Sequence, residues 1–79
     1  YDSKTTLQEL IQGKLKKEFH YELLDETGPE HDKTFVSEVY LEKESLGKGF
    51  GRTKKAAEQQ AAFQALLRLR EKGYVFKKY

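Results

Sequence analysis

The chain has 79 residues, of which 37% are hydrophobic and 35% charged, with a net charge of +2 and no cysteine. This length supports one small domain with a modest core, and the lack of cysteine excludes disulfides and thiolate metal sites. No apolar run approaches the roughly 18 residues of a transmembrane helix and no signal sequence is visible, so we expect a cytoplasmic protein with no membrane partner.

The first predicted element is a helix from residue 5 to about residue 17, because apolar side chains recur there at helical spacing. Ser3 or Thr5 can cap its start, and Gly13 is a tolerated weakness inside it. The apolar stripe consists of Leu7, Leu10, Ile11 and Leu15.

Three strands are predicted next, over residues 19 to about 26, 35–41 and 46–51. Tyr21 and Leu23 share one face of the first strand, and a breaker cluster at residues 27–32 follows it. The third strand is rich in glycine, which permits another backbone to approach closely. The solvated face of the sheet is expected to carry Glu22, Glu38 and Tyr40.

A long second helix is predicted from about residue 54 to residue 72, where Gly73 stops it. Its inner face is small or apolar and consists of Ala57, Ala61, Ala65, Leu66 and Leu69. The predicted class is therefore α+β with the order α-β-β-β-α, in which both helices pack on one face of a three-stranded antiparallel sheet. Residues 1–73 form the domain, and residues 74–79 form a basic, aromatic tail that we expect to be partly mobile.

The charge is distributed unevenly along the chain. Residues 52–79 contain eight Lys or Arg against two acids, whereas residues 1–51 contain seven Lys against eleven acids. Such asymmetry favours an anionic partner for the C-terminal part, and the acidic N-terminal part argues against indiscriminate coating of polyanions.

The start of the second helix carries the clearest functional signal. Thr53 is a good N-cap, and Lys54 and Lys55 fall in the first turn, where the helix dipole disfavours positive charge. A phosphate at this helix end would be attracted both by the dipole and by the lysines. These lysines therefore favour a phosphate-bearing ligand over a purely structural role.

No catalytic constellation is visible in the chain. His20 and His31 lie on different predicted elements without ligand spacing, and each is interpreted as an ordinary surface histidine. The glycines at 47, 49 and 51 match neither the Walker A pattern nor the dinucleotide fingerprint. We therefore expect no catalytic site, no metal site and no cofactor within these residues.

Three motifs in order along the chain resemble those of double-stranded RNA-binding domains. Thr5-Thr6-Leu7-Gln8-Glu9-x-x-Gln12 resembles the first-helix motif of that family, and Gly28-Pro29-Glu30-His31-x-x-x-Phe35 resembles its β1–β2 loop. Leu46-Gly47-x-Gly49-x-Gly51-Arg52-Thr53-Lys54-Lys55-x-Ala57-Glu58 resembles its C-terminal signature. In their detailed residues, these motifs are most similar to those of the C-terminal domain of bacterial ribonuclease III.

The resemblance implies how such a domain would bind duplex RNA. The first-helix residues would enter one minor groove, the loop residues the next, and the basic residues would hold phosphates across the intervening major groove. The implied RNA-binding residues are Thr5, Gln8, Glu9, Gln12, Pro29, Glu30, His31, Arg52, Thr53, Lys54 and Lys55.

The ribonuclease III resemblance further implies a homodimeric parent enzyme that has a separate catalytic domain and uses Mg²⁺ there alone, whereas the isolated domain is expected to be monomeric. A protein–protein interaction module on the same scaffold is the alternative.

The chain departs from the family pattern at Ser3, at Ser37, which replaces a core-facing valine, and at Glu58, which replaces a lysine. The two serines concern packing, whereas Glu58 is expected to weaken the phosphate contact.

Overall fold

A computed structural model describes residues 2–74 of the chain. Its elements are α1 (Ser3–Leu10), a π-helical turn (Ile11–Leu15), β1 (Phe19–Thr27), β2 (Thr34–Leu41), β3 (Glu44–Gly51) and α2 (Lys54–Glu71). The three strands form one antiparallel sheet in the order β1-β2-β3. The predicted α-β-β-β-α order and the single sheet with both helices on one face are confirmed.

The first helix differs from its prediction at both ends. Its N-cap is Asp2, whose carboxylate accepts a hydrogen bond from the Thr5 N–H, so the prediction of Ser3 or Thr5 as the cap is wrong. Ser3 is instead the buried first residue of the helix. The α-helix was predicted to continue to about residue 17, but it ends at Leu10 and a π-helical turn follows it. A hydrogen bond from the Lys16 N–H to the Ile11 carbonyl at 2.6 Å closes this turn. Gly13 is exposed inside this turn, and a Cβ atom there would meet no atom within 4 Å.

The hydrophobic core lies between the sheet and the helices. Every member of the predicted first-helix stripe contributes to it, although Leu15 is only partly buried, and the predicted inner face of α2 is fully buried. The buried cluster consists of Leu7, Leu10, Ile11, Val39, Leu41, Leu46, Ala61, Ala62, Ala65, Leu66 and Leu69.

Alternating glycines let α2 lie directly on β3. A Cβ atom at Gly49 would lie 2.2 Å from the Ala61 nitrogen, and one at Gly47 would lie 2.6 Å from the Ala61 carbonyl oxygen. A side chain at either position would therefore collide with the helix backbone. The predicted close backbone approach at the third strand is confirmed, and this packing fixes where α2 begins relative to the sheet.

The sheet has two irregularities, and one of them is a shift in the pairing of β2 with β3 between Val39 and Tyr40. In the other, the pairing of β1 with β2 shifts between Leu23 and Asp25, which leaves Leu24 as an extra residue, and Leu23 is 45% exposed although it shares a face with Tyr21. Ser37, opposite Leu23, is buried and donates its hydroxyl to the Glu22 carbonyl at 3.2 Å. The serine that stands in place of a core valine is thus accommodated by a hydrogen bond to the neighbouring strand.

The outer face of the sheet is more ordered than a simple solvated surface. Glu22 is exposed as expected, but Glu38 and Tyr40 are half-buried, and the Tyr40 hydroxyl donates to Glu38 at 2.7 Å. His20 stacks on Tyr40 with ring centroids 5.2 Å apart and contacts Glu22 at 2.9 Å. Both histidine contacts are surface contacts, in line with an ordinary surface residue.

The second helix ends at Glu71, one residue before the predicted end, and Gly73, the predicted stop, follows the cap residue with a φ of 100°. The Gly73 N–H donates to the Arg70 carbonyl and the Tyr74 N–H to the Leu69 carbonyl, the two bonds of a Schellman motif. Tyr74 also packs against the core, so this member of the predicted tail completes the helix end. Residues 75–79, to which the rest of the tail prediction applies, lie outside the described residues.

Candidate nucleic-acid interface

The exposed face of the first helical segment presents Thr5, Gln8, Glu9 and Gln12, with Gln12 on the π-helical turn. Thr5 is tied to the cap, because its hydroxyl donates to the Asp2 carboxylate at 2.7 Å. Hydrogen bonds from the Gln59 amide and from Thr5 lower the pKa of Asp2 from its ordinary value of 3.8 to about 2. Within residues 2–74, the side chains of Gln8, Glu9 and Gln12 have no hydrogen-bond or ion-pair partner, which leaves them available to a ligand.

The loop between β1 and β2 is a compact turn. Gly28 has a φ of 99°, and a Cβ atom there would lie 2.4 Å from the Asp32 carbonyl oxygen, so glycine is required. The Asp32 N–H donates to the Pro29 carbonyl at 2.9 Å. Pro29, Glu30 and His31 are all exposed at the tip.

Lys33 anchors the base of this loop. Its ammonium group lies 2.7 Å from a Glu26 carboxylate oxygen and 3.3 Å from one of Glu30. The hydrogen bond and the charge of Lys33 lower the pKa of Glu26, and the two carboxylates raise the pKa of Lys33. One carboxylate of the loop tip is therefore already balanced by a cation.

Thr53 caps α2 as predicted, since its hydroxyl accepts from the Ala56 N–H at 3.0 Å. Lys54 and Lys55 are exposed in the first turn, and neither forms an ion pair within 4 Å in the part of the chain that the structure describes. Arg52 differs from these lysines, because its guanidinium lies 2.6 Å from the Asp32 carboxylate. Among the three basic residues of this segment, Arg52 is therefore engaged in an ion pair, whereas Lys54 acts on the Glu26 carboxylate only at longer range, where it helps to lower the pKa of that group.

The loop and the start of α2 enclose one open cleft of about 580 Å³. The Arg52–Asp32 ion pair spans it and holds the two elements together. The cleft is lined by Glu30, His31, Asp32, Lys33, Phe35, Arg52, Thr53 and Lys54. Two of the three sequence motifs therefore share one surface.

The first-helix face is joined to α2 by polar contacts close to the same helix end. The Lys4 N–H donates to the Gln59 side-chain oxygen at 3.2 Å, and the Gln59 amide donates to Asp2 at 2.7 Å. The Lys4 ammonium lies 2.5 Å from a Glu58 carboxylate oxygen, so Glu58 does not stand as a free negative charge beside the lysines. The structure thus connects the three motifs in the order first helix, start of α2, loop.

Several residues that shape this surface were not predicted from the sequence. Asp2 precedes Thr5 by three residues, which is the spacing of an N-cap aspartate and could have identified it. Asp32 lies twenty residues from Arg52, and Lys4 lies 54 from Glu58, so neither pair has a local sequence signal. Tyr21 lies beneath this junction, and burial, followed by the carboxylates of Glu58 and Asp2, raises the pKa of its hydroxyl.

Among residues 2–74 there is no group of three or more His, Asp or Glu side chains that could hold a metal ion. No helix in that same range has the length and apolar character needed to cross a membrane.

Comparison with known proteins agrees with this geometry. A family model described as "Double-stranded RNA binding motif" matches residues 3–69, and the chain belongs to that family. It is 60% identical over 65 residues to "Ribonuclease 3" of Onion yellows phytoplasma, which covers 82% of this chain and 27% of the relative. It is 54% identical over 71 residues to "Ribonuclease 3" of Halalkalibacterium halodurans, which covers 90% of this chain and 27% of the relative. The chain thus spans about a quarter of the length of these curated relatives, and it is a double-stranded RNA-binding module similar to part of ribonuclease 3.

Proposed function

We propose that this module recognises the shape of an A-form duplex through the eleven residues predicted from the sequence. The observation that carries the proposal is a pair of exposed lysines, Lys54 and Lys55, which form no ion pair within 4 Å among residues 2–74 and lie at a helix start flanked by two exposed polar surfaces. An A-form duplex presents a wide minor groove lined by 2′-hydroxyl groups on either side of a narrow major groove. The order of the three surfaces matches the order minor groove, major groove, minor groove.

The first-helix face would contact 2′-hydroxyl groups and base edges in one minor groove. Gln8 and Gln12 offer both donors and acceptors, and Glu9 offers only acceptors. A carboxylate is a suitable group here because a 2′-hydroxyl is a hydrogen-bond donor as well as an acceptor. Thr5, held by the Asp2 cap, lies at the edge of this face.

The loop tip would reach the next minor groove. Glu30 supplies a carbonyl group and His31 an imidazole, and the Pro29 carbonyl, which already accepts from the Asp32 N–H, has a second lone pair; all three residues are exposed. The Arg52–Asp32 ion pair connects this loop to the segment that precedes the lysines. Recognition by such a surface depends on groove spacing and is therefore largely independent of sequence.

Lys54 and Lys55 would hold phosphates across the intervening major groove, with the help of the α2 dipole. Replacing both with alanine should weaken binding to any RNA duplex by roughly tenfold or more, because charge-assisted bonds are lost. The slope of the logarithm of the binding constant against the logarithm of the salt concentration should also become shallower, by the amount expected for about two phosphate contacts, since fewer counterions are released. Titration of a duplex of about 20 base pairs at several salt concentrations measures both effects.

The matched control is Lys43→Ala/Lys48→Ala, which also removes two positive charges. Lys43 is exposed in the β2–β3 hairpin, and Lys48 is exposed on β3. This variant should keep the wild-type salt dependence. If the Lys54→Ala/Lys55→Ala variant bound like the wild-type protein, the phosphate contact would be refuted. If the wild-type chain bound no duplex RNA, the alternative of a protein–protein interaction module on this scaffold would be favoured.

We also propose that residues 1–73 serve as the substrate-binding part of a cytoplasmic ribonuclease III. The support is the identity of 60% and 54% to the two relatives, each of which is much longer than this chain. Endonucleolytic hydrolysis, its Mg²⁺ and homodimerisation are assigned to the remainder of such an enzyme, with this domain monomeric on its own. Incubation of the chain with duplex RNA and Mg²⁺ should yield binding without cleavage, and cleavage would refute this division.

A further inference from the structure

A small polar junction joins α1 to α2. The Lys4 ammonium forms an ion pair with a Glu58 carboxylate oxygen at 2.5 Å. The Lys4 N–H donates to the Gln59 side-chain oxygen at 3.2 Å, and the Gln59 amide donates to the Asp2 carboxylate at 2.7 Å. The side chains of Lys4 and Glu58 are only 34% and 30% exposed, so water screens their attraction less than it does for a fully exposed pair. The junction therefore makes three directed bonds between two helices that are distant in the sequence.

The polar junction adds directional contacts to the apolar packing of the two helices. Leu7 and Leu10 of α1 are buried, as are Leu66 and Leu69 of α2. Dispersion contacts between such side chains are not directional, whereas hydrogen bonds weaken steeply as distance and angle change. The bonds of the junction therefore constrain the alignment of the two helices beyond what their apolar contacts do.

Tyr21 holds the Lys4 cation from a second side. The Lys4 nitrogen lies 5.1 Å from the centroid of the Tyr21 ring, within the range of a cation–π contact. The Tyr21 hydroxyl is buried without a hydrogen-bond partner in the described part of the chain. Lys4 is therefore fixed between a carboxylate of α2 and an aromatic face of β1.

We propose that Lys4 and Glu58 are positioning residues, which set the distance between the first-helix face and the lysines of α2 and so determine the preference for RNA over DNA duplexes. The inference rests on the proposed function. Lys4 directly precedes Thr5, and Glu58 lies one helical turn after Lys54, so each member of the pair is attached to one contact surface. A shift between the surfaces would lose bonds to 2′-hydroxyl groups, which DNA lacks, while phosphate contacts remain.

The test compares the wild-type chain with Lys4→Met, Glu58→Ala, the double variant and a control, Lys43→Met. Lys43 is exposed in the hairpin whose Glu44 contacts Lys72 at the far end of α2, away from Lys54. RNA and DNA duplexes of the same sequence and about 20 base pairs are titrated at several salt concentrations. Thermal melting of each variant sets a working temperature well below unfolding.

Each single variant should lower the RNA-over-DNA affinity ratio about fivefold with an unchanged salt dependence, and the double variant should be no worse than either single one. Glu58→Ala is decisive, because it removes a negative charge near the lysines and simple electrostatics predicts tighter binding. Tighter binding with an unchanged ratio would overturn the proposal. So would a Lys4→Met variant that loses affinity equally for RNA and DNA, since Lys4 would then be a phosphate contact. A wild-type chain without RNA preference would instead overturn the proposed function itself, and this inference with it.

Discussion

Replacing Gly49 with alanine would place a methyl group inside the backbone of α2. The added Cβ would lie 2.2 Å from the Ala61 nitrogen and 2.6 Å from the Ala57 carbonyl oxygen, whereas ordinary contacts begin at 3.4 Å. Restoring that distance requires the helix to move outward by roughly 1 Å, because the atoms it meets are backbone atoms and cannot rotate away. Such a movement would loosen the contact between α2 and β3 over its whole length.

The cost should lie at or above the upper end of the range for overpacking, about 3 kcal/mol. A domain of this size has a total free energy of unfolding of about 4–12 kcal/mol, so the change removes a large share of it. We therefore expect the melting temperature, followed by circular dichroism, to fall by at least about 12 °C.

Gly13→Ala is the matched control for this substitution. No atom lies within 4 Å of a Cβ at Gly13, and its φ lies outside the left-handed region. Alanine there should stabilise the chain by about 0.5–1 kcal/mol, because it restricts the unfolded backbone without a clash. A Gly49→Ala variant that melts close to the wild-type protein would refute the reasoning from helix-to-strand distance.

Two other contacts yield measurable expectations. The pKa of Asp2 is lowered from 3.8 to about 2 in the folded chain, so its stabilising contribution is present above about pH 4 and is lost as pH falls towards about 2. In the Asp2→Asn variant, the melting temperature should therefore change less between about pH 4 and pH 2 than it does in the wild-type chain. An equal decrease in both proteins would contradict the assignment of Asp2 as the N-cap. Asp32→Asn releases Arg52 from its ion pair, which should steepen the salt dependence of duplex binding by about one phosphate contact. An unchanged or shallower slope would show that Arg52 reaches no phosphate.

Periodicity and turn residues were sufficient to predict the framework of the fold. The apolar stripes of both helices and the Thr53 cap depend on residues within one or two turns of each other, so a local pattern contains the necessary information. The glycines of β3 also have a local signature, although the helix that requires them is distant. These features were confirmed because each satisfies a short-range rule.

The remaining features depend on contacts that no local pattern contains. The π-helical turn at Ile11–Leu15 and the extra Leu24 in β1 arise where the chain adjusts its length to the packing of other elements. The Arg52–Asp32 pair and the Lys4–Glu58 pair form only after the fold brings distant residues together. The eleven interface residues were predicted from a family resemblance, and their contacts with RNA stay a prediction.

Strand β3 lies at the border of the sheet, where unsatisfied backbone groups invite pairing with another molecule. The Phe50 N–H, however, already donates to the side-chain oxygen of Gln60 from α2. A foreign strand that paired with β3 at this residue would have to displace that amide. Phe50 is itself 58% exposed, so the helix occupies a strand-pairing donor beside the apolar side chain that would otherwise favour such an addition.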